Sequence, residues 1–199
     1  MKGMFSAALV AAVIAVAAGC DRPTAPTGLT TTRQPGSVAA ASRAGAMEGF
    51  GFNGTASGFP TGAVHLTGGG SFDAATASDV VPTEDTRVSA GGGFSCSAPV
   101  GQGPLTGCGL DEGVRWDTEQ LLASTSFKCS AADALKPAST GRDTVVLLAD
   151  FYRAGDGIDE SFRAQMIVSN TDLAPAIPGD QNIWIQGVGC GTAVVHFSK

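Results

Sequence analysis

From residue 47 to the end, apolar positions recur with period two, in runs too short for helices. Phe127 and Cys129 share one face while Lys128 and Ser130 share the other. Phe162, Ala164, Met166 and Val168 alternate with Arg163 and Gln165. This is the signature of half-buried strands. Val145-Val146-Leu147-Leu148-Ala149 is apolar on both faces, as a strand covered on both sides would be. Strands are expected over residues 50–55, 63–72, 87–97, 114–118, 121–130, 144–152, 162–169, 182–187 and 192–198. Clusters of Gly, Pro, Asp and Ser separate them at roughly 8–12-residue spacing, which predicts an all-β domain. The expected architecture is a single antiparallel β-sandwich or its barrel-like closure. Residues 117–123 carry good helix formers (Glu119, Gln120, Leu121, Leu122, Ala123), so a short helix competes with a strand there. Glycine triplets at Gly68-Gly69-Gly70 and Gly91-Gly92-Gly93 lie inside strand patterns, where they mark bulges or close backbone approach.

Composition agrees with strands. The chain has 28 glycines, 43% hydrophobic residues and only 15% charged ones. The net charge is −6, and the acidic excess falls on the region after residue 45. Phosphate binding needs clustered Lys and Arg, so nucleic acid is not an expected partner. Cys96, Cys108, Cys129 and Cys190 form an even set without a C-x-x-C pair. In an exported chain they read as two disulfides rather than a zinc site. The favoured pairing is Cys96–Cys108, closing a Gly/Pro-rich loop, and Cys129–Cys190, joining a middle strand to the last hairpin.

The amino terminus has a different character. Lys2 precedes a small-apolar run over residues 5–18, and Ala17-Ala18-Gly19-Cys20 closes it. The run is shorter than the roughly 20 residues a membrane-crossing helix needs, so it reads as a cleaved secretory signal. Small residues ending in Cys resemble the lipobox of bacterial lipoproteins. That resemblance implies cleavage before Cys20, diacylation of its thiol with palmitate-type chains, and anchorage to a bacterial membrane on the extracytoplasmic side. Pro23, Pro26, Pro35 and several Thr follow, with Leu29 and Val38 the only larger apolar residues before Met47. Such a segment cannot build a core and suits a flexible tether. The expected organisation is a signal peptide over 1–19, a tether over 20–46 carrying lipidated Cys20, and a β domain over 47–199.

The β region itself resembles exported bacterial β modules of no assigned activity. The similar passages are Gly-Gly-Gly-Ser-Phe at 68–72, the Asp-Gly turn leading into Asp159-Glu160-Ser161-Phe162, and the closing segment from Trp184 to Phe197. The resemblance implies a β-sandwich and transfers no functional residue.

Candidate chemistry is sparse. Gly49-Phe50-Gly51-Phe52-Asn53-Gly54 fits G-x-G-x-x-G, yet Gly58, Pro60 and Gly62 follow where a phosphate cradle needs a helix. Asp156, Asp159 and Glu160 resemble one turn of a calcium-binding nonapeptide repeat, which acts by stacking copies; a polar hairpin turn is the simpler reading. His65 and His196 each sit in an alternating strand without neighbouring ligands, which favours surface or cross-strand packing. No G-x-S-x-G, S-x-x-K or H-E-x-x-H occurs. Asp111-Glu112 and Asp159-Glu160 are adjacent carboxylates in turns, where solvation is the usual state. The expectation is a non-catalytic envelope lipoprotein without a cofactor, whose β domain is structural or binds an envelope protein or glycan. The competing expectations are a carboxylate-dependent glycan hydrolase, or a carbohydrate-binding module using Trp116 and Trp184 as stacking platforms, although such rings in a β domain are more often core.

Overall fold

Alternation of apolar and small polar residues organises every long strand of the domain. A computed structural model describes residues 45–80, 86–153 and 160–199, all within the compact unit Ser42–Lys199. Ten strands follow in order: β1 (Glu48–Ser57), β2 (Ala63–Phe72), β3 (Val88–Ala98), β4 (Arg115–Leu121), β5 (Ser124–Phe127), β6 (Lys136–Ser139), β7 (Thr144–Arg153), β8 (Glu160–Ser169), β9 (Ile183–Ile185) and β10 (Gly189–Ser198). Eight of them close into a barrel in the order β1-β10-β9-β8-β7-β4-β3-β2. All neighbours are antiparallel. In chain order this is a meander, interrupted only by the β5–β6 hairpin. The all-β expectation holds, and the barrel-like closure is the form it takes. Closure removes the exposed edges that an open sheet would leave for aggregation.

Inward positions fill the barrel. Phe50, Phe52, Leu66, Phe72, Phe94, Trp116, Leu147, Phe151, Met166 and Ile185 belong to one buried cluster. An eight-stranded barrel is just wide enough for side chains to fill it. Trp116 is the largest of its fully buried side chains. Its indole crosses β3 and donates from Nε1 to the Thr67 carbonyl at 3.0 Å. Glycine makes this possible: a Cβ on Gly68 would lie 2.6 Å from Trp116 Cζ2. The two glycine triplets are thereby explained. They pair with each other, Gly68 opposite Gly92 and Gly69 opposite Gly91. The register shift between β2 and β3 lies instead at Ala63/Val64.

One end of the barrel is plugged by the loop between β3 and β4. Val100, Leu105 and Cys108 join the lumen cluster, and Cys96–Cys108 ties the loop to β3. Arg153 at the end of β7 donates to the Gly107 carbonyl at 2.6 Å and contacts Glu112 at 3.4 Å.

A second core lies outside the barrel. Leu122, Phe127, Cys129, Ala138 and Ala174 pack on Val146, Ile167, Trp184 and Cys190. The last four occupy outward positions of β7, β8, β9 and β10, so the β5–β6 hairpin forms an outer layer. This explains why 145–149 is apolar on both faces. Cys129–Cys190 clamps that layer to β10.

The structure corrects three local expectations. Residues 117–123 form no helix: β4 continues to Leu121 with an irregularity between Thr118 and Gln120. The inward series therefore changes phase from Thr118 to Leu121, hiding the period-two pattern. The strand expected over 121–130 shortens to β5. Its partner β6 was not anticipated, because Pro137 demotes a strand assignment and is tolerated in a two-stranded ribbon.

Candidate binding surface

β10, β1, β2 and β3 carry a single charged residue, Glu48, which stands on the inward register with Phe50 and Phe52. Their outward positions form ranks across the wall. One rank runs Thr192, Thr55, His65, Ser95; the next runs Val194, Asn53, Thr67, Gly93. A third runs His196, Gly51, Gly69, Gly91 and then reaches Asp117 on β4. Neighbouring strands set these groups about 4.8 Å apart. The surface is thus a grid of hydroxyls, the Asn53 amide, the His65 and His196 imidazoles and the exposed Val194, with half-buried glycine backbone between them. The His196 ring lies over Gly51, whose added Cβ would sit 2.5 Å from His196 Cε1.

Where this wall meets the outer layer, a groove of about 510 Å³ opens. Thr55, Ser57 and Thr192 supply hydroxyls from the wall, while Ile177 and Gln181 line it from the β8–β9 loop. Gln181 is 8% exposed. Its Nε2 donates to the Gly179 carbonyl at 3.2 Å, which fixes the amide plane. The Cys129–Cys190 bridge is also part of the lining, and no lining residue is charged. Sequence reasoning missed Thr55, Ser57, Gln181 and Thr192 as a group, because β1, the β8–β9 loop and β10 bring them together only in the folded barrel. The lack of charge in the four strands was the one readable signal.

The opposite wall is charged. Arg163 on β8 contacts Glu119 at 2.6 Å and Asp150 at 3.5 Å, and Arg115 contacts Asp117 at 3.4 Å. Arg115 also stacks on Tyr152, 4.7 Å from the ring centroid. Asp117 and Asp150 are cross-strand partners on an outer sheet face beside these arginines. Two further grooves, of about 340 and 180 Å³, border the outer layer. Between them they include one carboxylate, Asp172. Its Oδ1 accepts from the backbone N–H groups of Ala174 and Gln181 at 2.9 and 3.1 Å, a structural use.

The expected disulfides both form, Cys96–Cys108 and Cys129–Cys190. Both indoles are core, as the commoner reading has it, and the competing platform reading is overturned. Trp116 is fully buried in the lumen, and Trp184 is 6% exposed beneath the outer layer, where Nε1 donates to the Lys128 carbonyl at 3.0 Å. Apolar demand in two cores consumed both rings. His65 and His196 are exposed and lie on different ranks; His65 Nδ1 is 3.4 Å from Thr55 Oγ1. Glu112 accepts from the Gly109 N–H at 2.8 Å and serves the plug, as does Asp111, whose N–H donates to the Cys96 carbonyl at 2.7 Å. The G-x-G-x-x-G run lies inside β1 with no helix behind it. Of the calcium candidates, Asp156 and Asp159 lie outside the described residues, and Glu160 opens β8 opposite Arg153. The signal, Cys20 and almost all of the tether also lie outside them.

Among the described residues no group of three or more His, Cys, Asp or Glu could hold a metal, and no helix is long and apolar enough to cross a membrane. The polar wall also differs from the apolar outer band of membrane barrels. No family model matches the chain, and neither does any curated protein or solved structure.

Proposed function

We propose that this chain is a lipid-anchored extracytoplasmic lipoprotein whose barrel is a non-catalytic binding module for a neutral, hydroxyl-rich envelope glycan. The observation that carries the reading is the uncharged wall of β10, β1, β2 and β3, continuous with the groove at Thr55 and Thr192. Ser, Thr, Asn and Gln side chains both donate and accept, as sugar hydroxyls do. Half-buried glycine backbone at Gly69, Gly91 and Gly93 leaves no Cβ between a sugar ring and the strands. A filled and plugged lumen supports an external site rather than a ligand chamber. Among the described residues, Glu119, Asp150 and Glu112 stand in ion pairs or turn contacts on the opposite wall and plug. The anchor rests on Cys20 and the small residues before it.

Two measurements test the reading. Fatty-acid analogue labelling marks the wild type and is lost in Cys20→Ser; equal labelling of that variant contradicts the anchor. Co-sedimentation with insoluble polysaccharides retains the protein on neutral chains, with little dependence on salt and no release of sugar. Retention on carboxylated or sulfated chains alone, or sugar release abolished by one Asp or Glu substitution, contradicts the binding module.

A further inference from the structure

The two disulfides occupy unlike places, and the difference bears on reactivity. Cys96 is fully buried and Cys108 is 1% exposed. Both belong to the lumen cluster, together with the plug residues Val100 and Leu105. Cys129 and Cys190 retain 7% and 5% exposure and line the groove of about 510 Å³. That space admits an attacking thiol, and the lining holds no carboxylate to repel a thiolate. Exchange rates depend on access to a sulfur as well as on the attacking thiolate.

We propose that Cys129–Cys190 is a thiol–disulfide exchange site, opened by a dithiol reductant while Cys96–Cys108 stays closed. The reductant's thiolate attacks one sulfur of the pair through the groove. The S–S bond breaks, and the other cysteine leaves as a thiolate and takes a proton. The reductant's second thiol then attacks the mixed disulfide and releases the remaining cysteine. Two electrons pass to the bridge; the dithiol ends as a disulfide and the protein gains two thiols.

The barrel ladder does not depend on this bridge, since β1 and β10 pair from Gly49–Ser198 to Ala56–Gly191. What loosens is the outer layer. It keeps the Trp184 Nε1 bond to the Lys128 carbonyl and the Phe127–Trp184 ring contact, with centroids 6.0 Å apart. Reduction therefore remodels the groove without unfolding the wall. The exchange itself does not rest on the glycan reading.

The test is graded reduction of the full chain with dithiothreitol, quenched by alkylation and read by peptide mapping. Cys129 and Cys190 are expected to label about tenfold faster than Cys96 and Cys108, with far-UV circular dichroism unchanged at that stage. Thr192→Trp, which crowds the groove, is expected to slow labelling of this pair alone. Equal rates for the two pairs, earlier labelling of Cys96 and Cys108, or labelling only upon unfolding overturns the proposal. An unchanged rate in Thr192→Trp overturns the route through the groove. Because alkylation requires no glycan, failure here is distinguishable from failure of the binding reading.

Discussion

β10, β1, β2 and β3 bury the same kind of inner face as β4, β7 and β8, yet the two groups of strands expose opposite outer faces. The first presents hydroxyls, one amide, two imidazoles, Val194 and glycine backbone; the second presents Arg115, Asp117, Glu119, Asp150 and Arg163. Above Val146, Ile167 and Trp184 the second wall is also roofed by the β5–β6 layer. Inner faces are alike because a closed eight-stranded barrel is filled mainly by apolar packing, with Glu48 the charged exception on β1. Outer faces are free of that demand. Most soluble surfaces carry many charges of both signs, so a wall without them needs a reason outside the fold. A neutral partner supplies one, since buried charges cost free energy unless paired.

The comparison can be broken most severely from inside. Trp116→Ala removes the indole that spans β3 and reaches Thr67, and is expected to cost about 4 kcal/mol. Urea unfolding measures it; a loss under about 1 kcal/mol would mean the lumen is not packed around that ring. Next come the bridges. Replacing Cys129 and Cys190 together by Ser should cost about 4 kcal/mol, against about 3 for Cys96 and Cys108, because the closed segments are 61 and 12 residues long. Reversal of that order in denaturant midpoints would show that packing of the plug outweighs chain entropy.

On the outer faces the effects shrink and diverge. Arg163→Ala leaves Glu119 and Asp150 without their shared partner and should cost about 1 kcal/mol, since the arginine is largely exposed. Asn53→Ala on the bare wall should stay within about 0.5 kcal/mol. Comparable losses would erase the distinction between the walls. The smallest effect is a proton linkage in the outer layer. Partial burial raises the Asp133 carboxyl, but the Ser130 hydroxyl, the Cys129 N–H and the Lys136 charge outweigh it and hold it below its ordinary value of 3.8. A depressed folded value stabilises above the unfolded one and is lost as pH falls through the folded one. Asp133→Asn should therefore flatten a slight loss of stability below pH 3.8, read from acid titrations of the thermal midpoint.

Much of the fold was legible because period two survives wherever one face is wet. β2 spans the expected range, and β1, β3, β7, β8 and β10 fall within a few residues of theirs. The pattern failed where two cores compete or the chain changes phase, as at β4, and where Pro137 stands in β6. Two bridges were legible from the even cysteines; of three possible pairings the observed one was favoured because one bridge closes a Gly/Pro-rich loop and the other joins a middle strand to the last hairpin. The surface was harder. Trp116 and Trp184 take the core positions that are the commoner fate of such rings in a β domain, leaving no aromatic platform outside. Thr55, Ser57, Gln181 and Thr192 meet only once the barrel closes, and no local spacing encodes that meeting.

The central claim is that the uncharged wall is the contact surface. Its most direct measurement is retention on a neutral polysaccharide after inserting one carboxylate on each wall. Thr67→Glu places it among Asn53, Gly93 and Val194, and Ser161→Glu places it on β8 opposite Tyr152. The account expects Thr67→Glu to lose retention about tenfold or more while Ser161→Glu binds as the wild type does, with both variants folded, because a desolvated, unpaired carboxylate costs well over 1 kcal/mol. Unchanged retention for Thr67→Glu, or equal loss in both variants, would contradict it.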